Sequence, residues 1–418
     1  MWRRLSLALV FGAGLTLAGC QKPGEAPEEP PTEPETPVSV PDTLDFLPTE
    51  WAAMEGWADA DPRDALAAFR RSCARLDSRG DDEFLNPQAA WAGRVGEWRA
   101  ACTAAAMTDL QAEPDVLRAS FEAVFSPVRA LAVDPDTGES QVSGLLTGYY
   151  EPFVEVRETP GDGFTQPLRR RPDDLVTVDL GLFEDDLAGR RIVGEVRDGR
   201  LVHYKDRAAI EAADAGEVFA WGRPIDVFFL QIQGSGRLVF PDGSQERAAF
   251  AAHNGQPYHS IGRELIRRGE LEPHAASKAG IERWLNENGP EATAELFSVN
   301  PRYVFFASES LTDPSLGPRG SSGVALTPMA SIAIDTRQHA HGVPVWLEAD
   351  LPDLAGWYGL VIAQDSGGAI NGPLRGDFFW GWGETAERRA GTTRAQAEWT
   401  LLLPHTVVAR LFADTQPA

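Results

Sequence analysis

Val361–Gly383 reads VIAQDSGGAINGPLRGDFFWGWG, and the fold and chemistry of this 418-residue chain turn on it. An apolar, strand-like entry from Leu360 to Ala363 delivers Asp365, and two glycines follow Ser366. Gly372, Pro373 and Gly376 then turn the chain before Asp377, which abuts Phe378, Phe379, Trp380 and Trp382. Glycines allow positive φ and close backbone approach, while aromatic side chains beside a carboxyl group desolvate it. Desolvation raises a carboxyl pKa, as a general acid working near neutral pH requires. Aromatic faces also suit the apolar faces of sugar rings. On composition alone, a Gly-rich hairpin between core strands, its aspartates capping turns, is the simpler reading.

Other segments carry comparable punctuation. Asp335 lies in SIAIDTRQHAHGVPVWLEA. LLTGYYEP (Leu145–Pro152) sets Thr147, Gly148, Tyr149 and Tyr150 in one strand-like run, where tyrosines either stack on sugars or divide between core and surface. FFLQIQGSGRLVFPDGS (Phe228–Ser244) alternates apolar and polar residues before breaking at Gly234-Ser235-Gly236. Gln233 and Ser235 there either bind hydroxyl and acetamido groups or simply make a hairpin turn. QGSG is not a phosphate loop, since no lysine or helix start follows it.

In kind and order, these motifs resemble those of the membrane-bound lytic murein transglycosylase A family, whose 3D domain takes its name from three aspartates. The resemblance covers roughly residues 140–405 and matches Asp335, Asp365 and Asp377 to the three. It implies cleavage of the β-1,4 bond between N-acetylmuramic acid and N-acetylglucosamine, leaving a 1,6-anhydro end. One aspartate, matched by Asp377, acts as acid and then base; Asp365 tunes or orients it, and Asp335 supports by hydrogen bonding. Thr147, Gly148, Tyr149, Tyr150, Gln233 and Ser235 become glycan-binding candidates. Two departures stand out. Asn371 replaces a lysine common in the family, and the Asp365–Asp377 segment is one residue longer, so Arg375 is expected to supply the missing cation at the substrate. A hydrolytic muramidase is the alternative among enzymes, and a non-catalytic peptidoglycan-binding lipoprotein the alternative outside them.

The implied fold is mainly β with N-terminal helices. A double-psi β-barrel domain is expected from residues 48–151 and 311–414, with a smaller β-barrel domain, 152–310, inserted in it. The pattern predicts helices over DPRDALAAFRRSCARL and PQAAWAGRVGEWRAACTAAAM, and one further helix, broken near Pro127, over VLRASFEAVFSPVRAL. After Asp134, short β-rich runs dominate, including DVFFLQIQ, which is expected as a strand. A helical stretch follows from Ser260 to about Phe297, and strands resume at NPRYVFF.

Met1–Cys20 has a charged start at Arg3 and Arg4, an apolar stretch from Leu5 to Leu17, and LAGC at the cleavage site. That is the pattern of a bacterial lipoprotein signal with Cys20 as the lipidated residue. The apolar stretch is too short to span a bilayer, so an anchored protein is expected. Gln21 following Cys20 lacks the aspartate that commonly retains lipoproteins in the inner membrane, and the resemblance implies the periplasmic face of the outer membrane. Residues 21–47, rich in Pro and Glu, read as an extended tether.

A formal net charge of −24 argues against nucleic acid and against an anionic bilayer surface as ligand. Peptidoglycan is itself acidic, so glycan-strand binding would rest on local hydrogen bonds and stacking. The family context makes cell-wall synthesis or division proteins candidate partners. Besides Cys20 there are Cys73 and Cys102, which an oxidising compartment would allow to pair; two reduced core cysteines fit the same helical patterns. His339 and His341 lack the patterned partners of a zinc site, no cofactor is implied, and no G-x-S-x-G elbow supports a serine hydrolase.

Overall fold

The computed structural model describes residues 43–184, 187 and 190–413. The expected signal, Cys20 and most of the expected tether lie outside the described residues. Within them, no helix is long and apolar enough to cross a membrane.

Six strands close into a barrel. The Arg394–Pro404 strand pairs antiparallel with Pro344–Leu351, which pairs antiparallel with Leu354–Ser366. The latter runs parallel to the short, fully buried Ser331–Ile334 strand. Ser331–Ile334 pairs antiparallel with Gly376–Trp382, which runs parallel to Ser143–Glu151. Ser143–Glu151 pairs back onto Arg394–Pro404 and completes the ring. Both central strands, Ile332-Ala333 and Val361-Ile362-Ala363, are buried and read as apolar runs rather than alternation, as expected where both faces are covered.

The helices Arg63–Ala74, Val95–Met107 and Pro114–Glu122 cover the barrel. They share one core with it, in which Trp91, Trp98, Trp346 and Trp399 are each at most 1% exposed. Cys73 and Cys102 are joined in a disulfide between the first two helices, with Cα atoms 5.5 Å apart.

Three local expectations change. The tether was expected to reach residue 47, but Leu44–Pro48 is a strand paired with Phe125–Val133. Its period-2 pattern explains this: Leu44 and Phe46 are buried while Asp45 and Leu47 face out. The helix expected across Pro127 stops at Glu122, and Phe125–Val133 is a strand bridging Leu44–Pro48 and Arg394–Pro404. Proline cannot continue a helix, and the Phe125, Val128 and Ala130 side chains fill the core from an extended backbone. DVFFLQIQ is not a strand but part of the Pro224–Gln233 helix. Pro224 opens it, Ile225, Phe228 and Gln231 are buried at helical spacing, and Gly234 ends it at φ 84°.

A second, six-stranded sheet runs in the order Val304–Ser310, Gln245–His253, Gly236–Val239, Phe153–Arg157, Val218–Gly222, Gln166–Arg169. A three-stranded meander, Val176–Asp179, Arg191–Arg197 and Arg200–His203, stands beside it. The chain enters this sheet directly after Glu151, whose carboxylate is fully buried. Arg237 and Arg247 hold it, their Nε atoms donating at 2.8 and 2.5 Å. The same two guanidinium groups donate to the Leu316 carbonyl on the returning segment, at 3.2 and 2.8 Å. Arg237 also lies 3.8 Å over the Trp382 ring at the end of a barrel strand. Both chain crossings are thus tied to one buried ion cluster.

Candidate active site

Asp377 and Thr147 occupy matching positions on the parallel Gly376–Trp382 and Ser143–Glu151 strands. Their approach depends on Gly376, where a Cβ would meet Ile332 Cδ1 at 2.6 Å and Trp399 at 2.8 Å. The Thr147 hydroxyl donates to Asp377 Oδ1 at 2.6 Å. It accepts in turn from Arg375 Nη2 at 2.9 Å. Burial pushes the Asp377 carboxyl up to about 6, against the Thr147 hydrogen bond and the Arg375 charge; the Asp365 charge adds to the rise. A carboxyl titrating there is partly protonated near neutrality.

The aromatic run contributes differently from its sequence position. Phe378 and Trp380 alternate away from Asp377 and pack edge to face, 4.9 Å apart, in the barrel core. Phe379 shares the Asp377 side of the strand and packs 5.1 Å from the Tyr149 ring. Trp382 turns to Arg237. Desolvation of Asp377 therefore comes from the packed strand pair rather than from a cage of all four rings.

Asp365, at the end of the Leu354–Ser366 strand, accepts three hydrogen bonds. Its Oδ1 accepts the backbone N–H groups of Ser321 and Ser366, each at 2.9 Å, and its Oδ2 accepts the Tyr149 hydroxyl at 2.9 Å. Burial nonetheless raises the Asp365 carboxyl above the usual carboxylate range, and the three hydrogen bonds work against that rise. Tyr149 is held well above its ordinary value, first by burial and then by the charges of both Asp365 and Asp377. Its hydroxyl therefore stays a donor.

Asp335 has another environment. Arg337 donates to it from Nε at 2.9 Å, Nη2 at 2.7 Å and its backbone N–H at 3.0 Å, and the Gly372 N–H adds a fourth bond at 2.8 Å. Burial alone would raise this carboxyl, but the Arg337 and Gly372 bonds outweigh it and hold Asp335 below the usual range. Arg337 also donates to Asn371 Oδ1 at 2.8 Å. Asp335 is thus an ionised post that pins the loop between Asp365 and Asp377, and Asn371 belongs to that fastening.

The remaining candidates divide. Gly148 is a packing position: a Cβ there would sit 2.5 Å from Trp380 Nε1 and 2.8 Å from Thr393 Oγ1. Tyr150 points to the opposite face from Tyr149, 9% exposed and beside Glu387. Gln233 Oε1 accepts the Tyr150 N–H at 3.5 Å, which brings the QGSG turn to the TGYY strand. Ser235 is 7% exposed. Arg375, a substrate-binding candidate, donates to Thr147, to the Leu145 carbonyl at 3.4 Å and to the Gly376 carbonyl. Three contributors escaped the sequence reading: Ser321 and Ser366, which hold Asp365, and His341, whose Nε2 lies 3.0 Å from Ser321 Oγ. The signal for the first was GSSG at Gly320–Gly323, where a Cβ on Gly320 would come 2.4 Å from the Gln364 carbonyl.

Comparison with known proteins bears on this site. Residues 145–307 match the model of the MltA specific insert domain, and residues 330–403 match the 3D domain. The chain is 30% identical over 283 residues to the membrane-bound lytic murein transglycosylase A of Vibrio cholerae serotype O1, covering 66% of this chain and 70% of that one. It is 31% identical over 256 residues to the protein of that name from Escherichia coli strain K12, covering 59% and 62%. The crystal structure of a membrane-bound lytic murein transglycosylase from Agrobacterium tumefaciens superposes with a TM-score of 0.73 at 30% identity, covering 88% of this chain and 99% of that one. MltA from Neisseria gonorrhoeae gives 0.71 at 27% identity, covering 89% and 98%. The chain belongs to the membrane-bound lytic murein transglycosylase A family of enzymes.

Proposed function

We propose that this chain cleaves the β-1,4 bond between N-acetylmuramic acid and N-acetylglucosamine in peptidoglycan, with Asp377 as the single acid and base and a 1,6-anhydro end as product. The observation that carries this reading is the Asp377 carboxyl, pushed up to about 6, with one oxygen fixed by Thr147. Protonated Asp377 gives its proton to the departing glycosidic oxygen as the C1–O bond breaks. The resulting carboxylate then takes the proton of the sugar's own 6-hydroxyl as that oxygen bonds to C1. The proton count closes on the enzyme, and no water enters. Proximity of the 6-hydroxyl replaces a second catalytic carboxylate.

The hydrolytic muramidase is the weaker reading for a geometric reason. It needs a second carboxylate free to activate water or attack carbon. Asp365 has both oxygens occupied by Ser321, Ser366 and Tyr149. Its part is to orient Tyr149 and to hold the proton on Asp377. Digestion of isolated sacculi tests the assignment. Mass spectrometry should find muropeptides lighter by one water at the muramoyl end, and reducing-end products instead would assign a hydrolase. A binding lipoprotein without chemistry would leave no clearing on a murein zymogram.

The wider expectations belong to the same reading. The closed six-stranded ring is proposed to be a double-psi barrel built from residues 48–151 and 311–414, with residues 152–310 as an inserted barrel. A glycan strand would run between them, with Tyr149 and Thr147 on the barrel side. Cys20 is proposed as the lipid-bearing residue that anchors the enzyme to the outer membrane, facing the periplasm.

A further inference from the structure

Behind the end of the strand that carries Asp365 lies a cavity of about 480 Å³ to which the proposed mechanism assigns no role. That volume falls within the range of small-ligand sites, roughly 300–1,000 Å³. Its floor is apolar, from Phe69, Leu76 and the Cys73 end of the disulfide. Its wall toward the active site is formed by Ser321 and Ser366, whose backbone N–H groups hold Asp365 Oδ1. A group seated in the cavity is therefore one residue away from the carboxylate that faces Tyr149.

The rim is basic in an otherwise acidic protein. Arg79 is spent on Glu83 and on the Phe84 and Leu85 carbonyls. Among the described residues, Arg191 pairs with Asp179 at 3.6 Å, with its own side chain largely exposed. Arg75 lies exposed just past the Arg63–Ala74 helix and makes no ion pair among the described residues. Its guanidinium passes over Gly323, where a Cβ would come 3.4 Å from Nε and 3.5 Å from Nη2. It thus overlies the loop that carries Ser321. An unpaired arginine above an apolar floor, beside serine hydroxyls, suits a carboxylate carried on a short and partly apolar chain.

We propose that this cavity is a subsite for the peptide substituent of the murein strand, with Arg75 taking a carboxylate of that peptide. The proposal rests on the transglycosylase reading and names a second determinant of its substrate. Arg75 touches neither the sugar nor the reacting atoms, so it acts through affinity.

The test uses the full chain and two substrates: peptide-bearing glycan strands, and the same strands stripped by an amidase, which exposes a lactyl carboxylate. On peptide-bearing strands, Arg75→Ala should raise KM about tenfold, the scale of one charge-assisted hydrogen bond, with kcat little changed. Arg75→Lys should recover part of that loss and Arg75→Glu should deepen it, while stripped strands should be cleaved equally by all four proteins. Equal losses on both substrates would assign Arg75 to the lactyl group or to folding and overturn the proposal, as would no loss on either. Wild-type protein that cleaves neither substrate overturns the transglycosylase reading itself, an outcome visible before any variant is compared.

Discussion

Thr147 Oγ1 stands 2.6 Å from Asp377 Oδ1 across two parallel strands, and the same hydroxyl accepts from Arg375 at 2.9 Å. This pairing fixes one carboxyl oxygen of Asp377. It also opposes the burial that raises the Asp377 pKa, so in the proposed mechanism Thr147 tunes the pH at which Asp377 holds its proton.

Asp377→Asn removes the transferable proton but keeps an acceptor for Thr147. Lytic activity on sacculi should fall by several orders of magnitude, and retention of more than a tenth of turnover would remove Asp377 from the catalytic role. The variant should also be more stable than wild type at pH 7, by roughly 1–3 kcal/mol, because a carboxyl raised to about 6 costs the fold stability once ionised. The sign follows from the raised value. The wild-type penalty is absent below the unfolded pKa near 4 and grows as pH rises through about 6, so denaturation midpoints at pH 4 should coincide.

The alkaline limb of kcat/KM should fall near pH 6, where Asp377 loses its proton. Thr147→Val deletes a bond that favours the carboxylate, so the limb should move to higher pH. Asp365→Asn deletes a like charge, so the limb should move to lower pH. Opposite movements in a pH–rate profile check the assignment. Identical movements would mean that another group controls the limb.

Glu151→Gln would leave Arg237 and Arg247 without their common counter-charge in a buried cluster. Breaking such a cluster from one side should cost about 3–5 kcal/mol, readable as a lowered urea midpoint. Both chain crossings depend on this cluster, so proteolysis near residues 311–317 should accelerate in the variant.

The Cys73–Cys102 bond closes a 29-residue separation between the first two helices. Replacing both cysteines with serine should lower stability by about 3 kcal/mol through the freer unfolded chain. Unchanged thermal unfolding with and without a reductant would contradict this.

By itself the sequence marked the candidate residues. The three aspartates, the TGYY strand and the QGSG turn are short-range patterns, and apolar runs such as Val361-Ile362-Ala363 mark strands covered on both faces. Sequence also carried the family, through the order of its motifs. Only the tertiary structure gave the three carboxylates their different environments. Asp335, Asp365 and Asp377 look alike in the chain, yet one is held ionised by Arg337, one is filled by three donors, and one keeps a raised pKa beside a single hydroxyl. It likewise turned Arg375 inward to Thr147, and made a helix of DVFFLQIQ, whose apolar pattern fits either period until Gly234 and its neighbours choose. The physical reason is common to all of these: a pKa, a hydrogen-bond partner and a buried face are set by residues tens to hundreds of positions away, which local composition does not record.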